Sequence, residues 1–376
     1  MTGAMSQEIS EQLQRLAALI RAPLLGETAP AGAVDSALAD FAVRRHRVGP
    51  LLQAALRTAD FQIEPAVADM LAQQYRVNAI RYVLTDAFLK DLARKFRAAD
   101  IPWLAFKGIL LARQLYIDPA WRHCHDVDVL VPPRMHAKAT QILESNGFSV
   151  VNTQLSPEHW LERASAAIAK DVMLSQPKSG IRVELHRRLL FGRTEEKREP
   201  LLRDAFQPRL GLTDTDIPTA PVGAGFTLYL LLHGASSRWF RLKWLVDLVP
   251  LARRIDAAQV HDLATAARRL RAETTVKAGL MLLRRVFGDL SNDALQAWLD
   301  EPAGRDMADA RAQTYLSALD RARANQGNIE GNRFDSLNLY YSMMDNPGYR
   351  AAVLLRGGAW TVLRVLAATQ TPRTNR

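Results

Sequence analysis

The hydrophobic period of this chain changes twice, and the middle stretch sets the fold class. Between Pro65 and Pro102 there is no glycine or proline, and Val67, Leu71, Tyr75, Leu84, Phe88, Leu92 and Phe96 keep helical spacing. That predicts one long helix or two abutting ones. Upstream, Ile9, Leu13, Leu16 and Ile20 fall on one helical face. After Pro102 the pattern shortens: "WLAFK" (103–107) and "DVDVLV" (126–131) read as strands, with "GILLARQLY" (108–116) as a helix between them. "MHAKATQILES" is helical again and stops at Asn146-Gly147, a C-cap signal, before "FSVV" (148–151). "DVMLSQ" (171–176) and "IRVELH" (181–186) flank "PKSG", which predicts an antiparallel hairpin. From residue 224 onward the helical period returns in "FTLYLLLHGASS", "LKWLVDLVPLARRI" and "TTVKAGLMLLRRVFG". The expected fold class is α+β. A small mixed β-sheet core over residues 99–215 lies between a helical N-terminal region, 1–98, and a helical C-terminal region, 216–376, with no internal repeat.

The strand "DVDVLV" opens on two carboxylates. Side chains alternate between the faces of a strand, so Asp126 and Asp128 project from one side while Val127 and Val129 take the other. Neighbouring buried carboxylates repel and lose hydration, and they persist when paired or when they hold a cation. Magnesium, which takes hard oxygen ligands from a few carboxylates and from substrate phosphates, resolves that conflict. The alternative is a solvated strand end with no chemistry. Two other features bear on the choice. Lys107-Gly108 sits at a strand-to-helix junction, where glycine admits close approach of a ligand and a helix N-terminus favours phosphate. Glu184, in the later strand "IRVELH", is a candidate third carboxylate or, on the plainer reading, an outward-facing residue of an alternating strand.

Composition narrows the partners. The chain has 376 residues, 48% hydrophobic and 23% charged, which excludes a disordered chain and allows one large or two modest cores. Its lone cysteine, Cys124, excludes an intramolecular disulfide and fits a reducing compartment. The opening "MTGAMSQEISEQLQRL" lacks the pattern of a secretory leader, so a cytoplasmic location is expected. The longest apolar runs, such as "FTLYLLL", fall short of the roughly 20 residues that span a bilayer, and no membrane partner is expected. A net charge of +10 suits an anionic ligand, but the arginines are interspersed with acids, so nucleic acid is possible without being favoured. His123, Cys124, His125 and His186 do not make a convincing zinc site, because consecutive residues cannot aim three side chains at one tetrahedral ion.

"KG" closing a strand, then "RHCHDVDVLV", a helix ending in "NGF", and a later "VELH" resemble the uncharacterised bacterial nucleotidyltransferase family of the DNA polymerase beta-like superfamily. The stretch "LLLHGASSRWFRLKWLVDL" resembles a C-terminal segment of the same family. The resemblance implies a palm-like sheet, with Asp126, Asp128 and Glu184 as catalytic, metal-binding carboxylates for two magnesium ions. It implies nucleotide contacts from Lys107, Gly108, Arg122 and Lys243, with His186 touching substrate, organising a carboxylate or serving structure. One departure is that Ile109 follows Gly108 where many members of the superfamily carry serine or glycine, so no hydroxyl is offered to phosphate there. Lys243 and Asp247, four apart on a presumed helix, read without the resemblance as an exposed ion pair, and Trp239 and Trp244 as packing residues. The roles of His233 and Asp247 stay open at this level.

The expected activity is a magnesium-dependent transferase. It moves a nucleoside monophosphate from a nucleoside triphosphate, ATP foremost, to an acceptor hydroxyl or phosphate on a small molecule or peptide, releasing pyrophosphate. The rivals are a nucleotide-binding scaffold without turnover and an RNA-binding or RNA-end-modifying protein.

Overall fold

The computed structural model describes residues 9–151, 160, 161, 164, 169–190, 199–289, 291–321, 344 and 347–370. They divide between two compact units, each assembled from separate stretches. The first takes Met1–Val83, Ile109–Cys124 and Pro221–Leu339, and the second takes Leu84–Gly108, His125–Ala220 and Tyr340–Arg376. The Pro65–Ala98 helix is continuous and contributes residues to both. Val67, Leu71, Leu92 and Phe96 are buried as the spacing predicts, but Leu84 is 47% exposed.

Helices dominate the first unit. Glu11–Leu25 starts where Ser10 Oγ accepts from the Leu13 amide at 3.3 Å, and it stops at Gly26, whose φ of +69° is left-handed. Leu13, Leu16 and Ile20 on its inner face are fully buried. Two three-residue strands, β1 (Gly32–Val34) and β2 (Phe61–Ile63), pair in parallel where the sequence reads as helical. Three residues are too few to register a period of two. Ala224–Ser236 is apolar nearly all round and lies in the core with Glu273–Phe287. Trp239 is buried between them. A Cβ on Gly234 would overlap its ring, and one on Gly279 would come within 3.1 Å of it, so both glycines make room for the indole.

The second unit holds a five-stranded sheet. Its strands are β3 (Leu104–Phe106), β4 (Val127–Leu130), β5 (Ser149–Val150), β6 (Asp171–Gln176) and β7 (Ile181–His186), in the order β3-β4-β7-β6-β5. β4 and β7 run parallel and the other neighbours antiparallel. Alternation fixes the register: Val127 and Val129 stand beside Val183 and Leu185 on one face, which puts Asp128 beside Glu184 on the other. A slip of one residue would carry the valines of β4 to the polar face. The hairpin β6–β7 turns at Gly180, φ +69°, as the "PKSG" signal predicts. The His136–Ser145 helix ends in a Schellman arrangement, Phe148 N–H to Leu143 C=O at 3.2 Å, with Gly147 at φ +81°. Among the described residues no helix is long and apolar enough to cross a membrane.

His136 packs this helix onto the sheet and carries a pH prediction. Its Nε2 donates to the Leu185 carbonyl at 3.0 Å, and its Nδ1 accepts from Arg187 Nη2 at 3.1 Å, so the ring is neutral. Burial, then the Arg187 charge, lower its pKa from 6.5 to about 4. Between those values the unfolded chain takes up a proton that the folded chain refuses. The His136 contribution is therefore complete above the unfolded value of 6.5 and is lost as pH falls toward 4, by at most about 1.4 kcal/mol per pH unit. Urea denaturation at pH 7.5, 6 and 5 should show that loss, and His136→Gln should flatten it. An unchanged slope in the variant would rule the ring out as its source.

Candidate metal and nucleotide site

The chain builds its acidic site where β4 and β7 run side by side. Asp128 and Glu184 are register partners, and His186 follows Glu184 on the same face. One ligand atom from each of Asp128, Glu184 and His186 lies within 4.8 Å of the other two. His186 is fully buried. Its Nε2 is 3.0 Å from Asp128 Oδ1 and 3.4 Å from Glu184 Oε2, while its Nδ1 is 3.6 Å from Asp171. Asp171, the first residue of β6, stands opposite His186 in the hairpin register. Asp171 carries no motif of its own in the sequence, although counting back symmetrically from the Gly180 turn pairs it with His186.

Lys107 closes this cluster. Its ammonium meets Asp128 Oδ1 at 2.7 Å, with the two side chains 9% and 4% exposed. The backbone at Lys107 is left-handed, φ +58°, and Gly108 follows at φ +51°. A lysine in that conformation carries strain of about 1 kcal/mol, and strain of this kind concentrates at functional sites. At Gly108 a side chain is disfavoured twice, by its left-handed φ and by the Asp126 carbonyl, which a Cβ would meet at 3.2 Å. These two residues turn β3 into the Gly108–Leu115 helix.

Electrostatics follow from this packing. Burial raises the pKa of Asp128 and the neighbouring Asp126 charge adds to that, but the Lys107 ammonium and the His186 hydrogen bond outweigh both and hold it below the ordinary carboxylate value. His186 is pushed down by burial and by Lys170, yet its bonds to Asp128 and Glu184 and the Asp171 charge leave it raised overall. For Asp171, burial works upward, while Lys170 and then His186 bring its carboxyl down to about 2.

The structure thus brings together Lys107, Gly108, Asp128, Glu184 and His186. Asp126 is half-buried just ahead of the paired part of β4 and acts on Asp128 through its charge. Among the described residues, the set of ligand atoms within 4.8 Å has His186 where the sequence reading has Asp126. The donors suit a divalent cation: the Asp128 and Glu184 carboxylates stand close together beside His186, and the Lys107 ammonium already pairs with Asp128, so the cluster holds positive charge.

Arg122 and Lys243 belong to the first unit. Arg122, expected to orient the site or a phosphate, makes two parallel bonds: Nε to Asp247 Oδ1 and Nη2 to Asp247 Oδ2, both 2.8 Å. Tyr116 donates to the same Oδ1 at 2.7 Å. Asp247 is buried, which corrects the plain reading of an exposed pair with Lys243. The Lys243 ammonium lies 5.3 Å from the Trp244 ring centre. Asn78 pins the loop that carries Arg122, donating to the carbonyls of Ala120 (2.7 Å) and Arg122 (2.8 Å) and accepting from the Cys124 amide (3.2 Å). Asn78→Ala strands these buried groups and is expected to cost about 2 kcal/mol in urea denaturation. A loss within a few tenths of wild type would mean the loop holds itself.

A family model described as uncharacterised nucleotidyltransferase matches residues 35–288, a span that includes every site residue named above. No curated protein and no solved structure matches the chain.

Proposed function

Since this chain belongs to the uncharacterised nucleotidyltransferase family, we propose that it transfers a nucleoside monophosphate from a nucleoside triphosphate, ATP foremost, to an acceptor hydroxyl or phosphate. The observation that carries the reading is the register pairing of Asp128 with Glu184 beside a buried lysine. Asp128 and Glu184 would hold magnesium, with Asp126 the carboxylate left to serve a second ion. Bound there, magnesium supplies Lewis-acid neutralisation of the phosphates and favours the ionised acceptor.

The chain's own groups do the rest. Lys107, released from Asp128, neutralises phosphate charge, and the Gly108 amide at the start of its helix offers an N–H to a phosphate oxygen. Glu184, held by His186, takes the acceptor proton. The acceptor oxygen forms its bond to the α-phosphorus, the bond from that phosphorus to the bridging oxygen breaks, and pyrophosphate leaves with the electron pair. The acceptor is a small molecule or a peptide group, with an RNA end as the less favoured case.

The test is pyrophosphate release from each of the four nucleoside triphosphates with magnesium and a panel of acceptors. Magnesium-dependent release with at least one nucleotide is the expected result. A second reading, a nucleotide-binding scaffold without turnover, draws on the same Lys107 and His186 contacts, because they satisfy Asp128 with no ion at all. Tight calorimetric binding of magnesium and ATP with no pyrophosphate from any pair would favour the scaffold.

A further inference from the structure

A second cluster, in the helical unit, has the opposite sign. Arg45 closes a five-residue π-helix, Phe41–Arg45, and is followed by His46 and Arg47. This stretch is tied to residues 241–243: His46 Nδ1 accepts from the Leu242 amide at 3.1 Å, and the His46 carbonyl accepts from the Lys243 amide at 3.2 Å. The guanidinium carbons of Arg45 and Arg241 lie 5.5 and 5.0 Å from the centre of the Phe240 ring. Backbone strain gathers at the same place, with left-handed φ values at Arg47 (+57°), Arg238 (+51°) and Trp239 (+52°).

Three polar atoms of this cluster, on Arg45, His46 and Arg241, are left in deficit. Arg45 spends Nη2 on the Ala318 carbonyl (2.8 Å) and Nε on the Arg321 carbonyl (3.3 Å), while its Nη1 is buried with no hydrogen-bond partner among the described residues. Arg241 Nε and His46 Nε2 are in the same condition. His46 is fully buried, and because its Nδ1 accepts a bond, the neutral ring carries its proton on Nε2, which makes that atom a donor in want of an acceptor. The nearest acid in sequence, Asp40, is bound to Arg44 at 2.6 Å. Burial, then Arg47 and Arg45, lower the Arg241 pKa to about 10, and burial, then Arg45 and Arg241, push His46 well below 6.5. Among the described residues, the charged neighbours that shift these two groups are arginines.

Half-buried arginines that repel one another and bury unspent N–H groups destabilise a fold unless an anion completes them. We propose that Arg45, His46, Arg47 and Arg241 form a binding site for a phosphoryl group. Guanidinium forks match the paired oxygens of a phosphate, the imidazole N–H serves a further oxygen, and the charge suits a dianion better than a single carboxylate. The phosphoryl group is carried either by a nucleotide or by a phosphorylated small molecule. The site stands whether or not the acidic cluster turns over.

The test uses the full chain in EDTA, at ionic strength held constant with sodium chloride, titrated calorimetrically with inorganic phosphate, glycerol 3-phosphate and ATP. Saturable phosphate binding is expected, weakened about tenfold or more by Arg241→Gln and by Arg47→Gln and unchanged by Arg253→Gln on an exposed surface. ATP binding at least about tenfold tighter than glycerol 3-phosphate assigns the site to a nucleotide, and equal affinity assigns it to a simple phosphomonoester. A second readout separates binding from structure: without added phosphate, Arg241→Gln should melt above wild type, because it relieves repulsion, whereas a structural arginine lost there lowers the melting temperature. If Arg241→Gln does not fold, the Arg47→Gln titration decides. Phosphate acting no differently from chloride, or binding equally to wild type and both variants, overturns the proposal.

Discussion

Asp128→Asn is expected to reduce magnesium-dependent pyrophosphate release on the order of 10²- to 10³-fold, the cost of removing one preorganised group from developing charge in a dry site. The substitution keeps the size of the side chain and an oxygen for His186, but it removes the charge that Lys107 meets at 2.7 Å and that a divalent ion would share with Glu184. Glu184→Gln should act in the same direction, and Asp126→Asn less, because Asp126 lies ahead of the paired strand. Steady-state rates with saturating nucleotide, alongside circular dichroism to show that each variant is folded, provide the check. A folded Asp128→Asn protein that keeps the wild-type rate removes the carboxylate from the mechanism.

Lys107→Met should give the largest change in stability. Removing one partner of a buried ion pair leaves the other charge uncompensated, a loss of about 3 kcal/mol, and Asp128 is almost fully enclosed. In EDTA the variant should therefore unfold at markedly lower urea concentration than wild type. The decisive part is rescue. If the Asp128 cluster takes a divalent cation, added magnesium or manganese replaces the missing ammonium and restores about 2.7 kcal/mol at a hundred times the dissociation constant. Turnover should stay low in the rescued protein, because no lysine remains for the phosphates. Loss of stability that no divalent ion repairs would show that Lys107 and Asp128 are a closed structural pair, and the scaffold reading would follow.

Sequence periodicity reached most of the second unit and little of its convergence. The strands at Leu104–Phe106 and Val127–Leu130 and the hairpin through Gly180 are legible because a period of two and a turn signal are local properties. That Asp128 stands beside Glu184 is not local. It depends on β7 inserting next to β4 in parallel, and nothing in either strand names its neighbour. The same limit governs Asp247. Lys243, four residues away, is the partner that spacing suggests, yet the bidentate fork of Arg122 takes the carboxylate, because a buried aspartate is best satisfied by paired N–H groups and the Tyr116 hydroxyl. Lys107 shows a different gap. Its place before a glycine at a strand-to-helix turn is visible in the sequence, but the left-handed backbone that aims it at Asp128 instead of outward is a tertiary property.

The proposed mechanism requires that Asp128 and Glu184 together grip a divalent ion. Electron paramagnetic resonance of manganese, titrated into wild type, Asp128→Asn and Glu184→Gln, reads that requirement without needing the acceptor. Saturable binding by wild type, lost in Asp128→Asn and weakened about tenfold or more in Glu184→Gln, is the predicted result. Manganese bound equally by all three proteins, or by none of them, contradicts it.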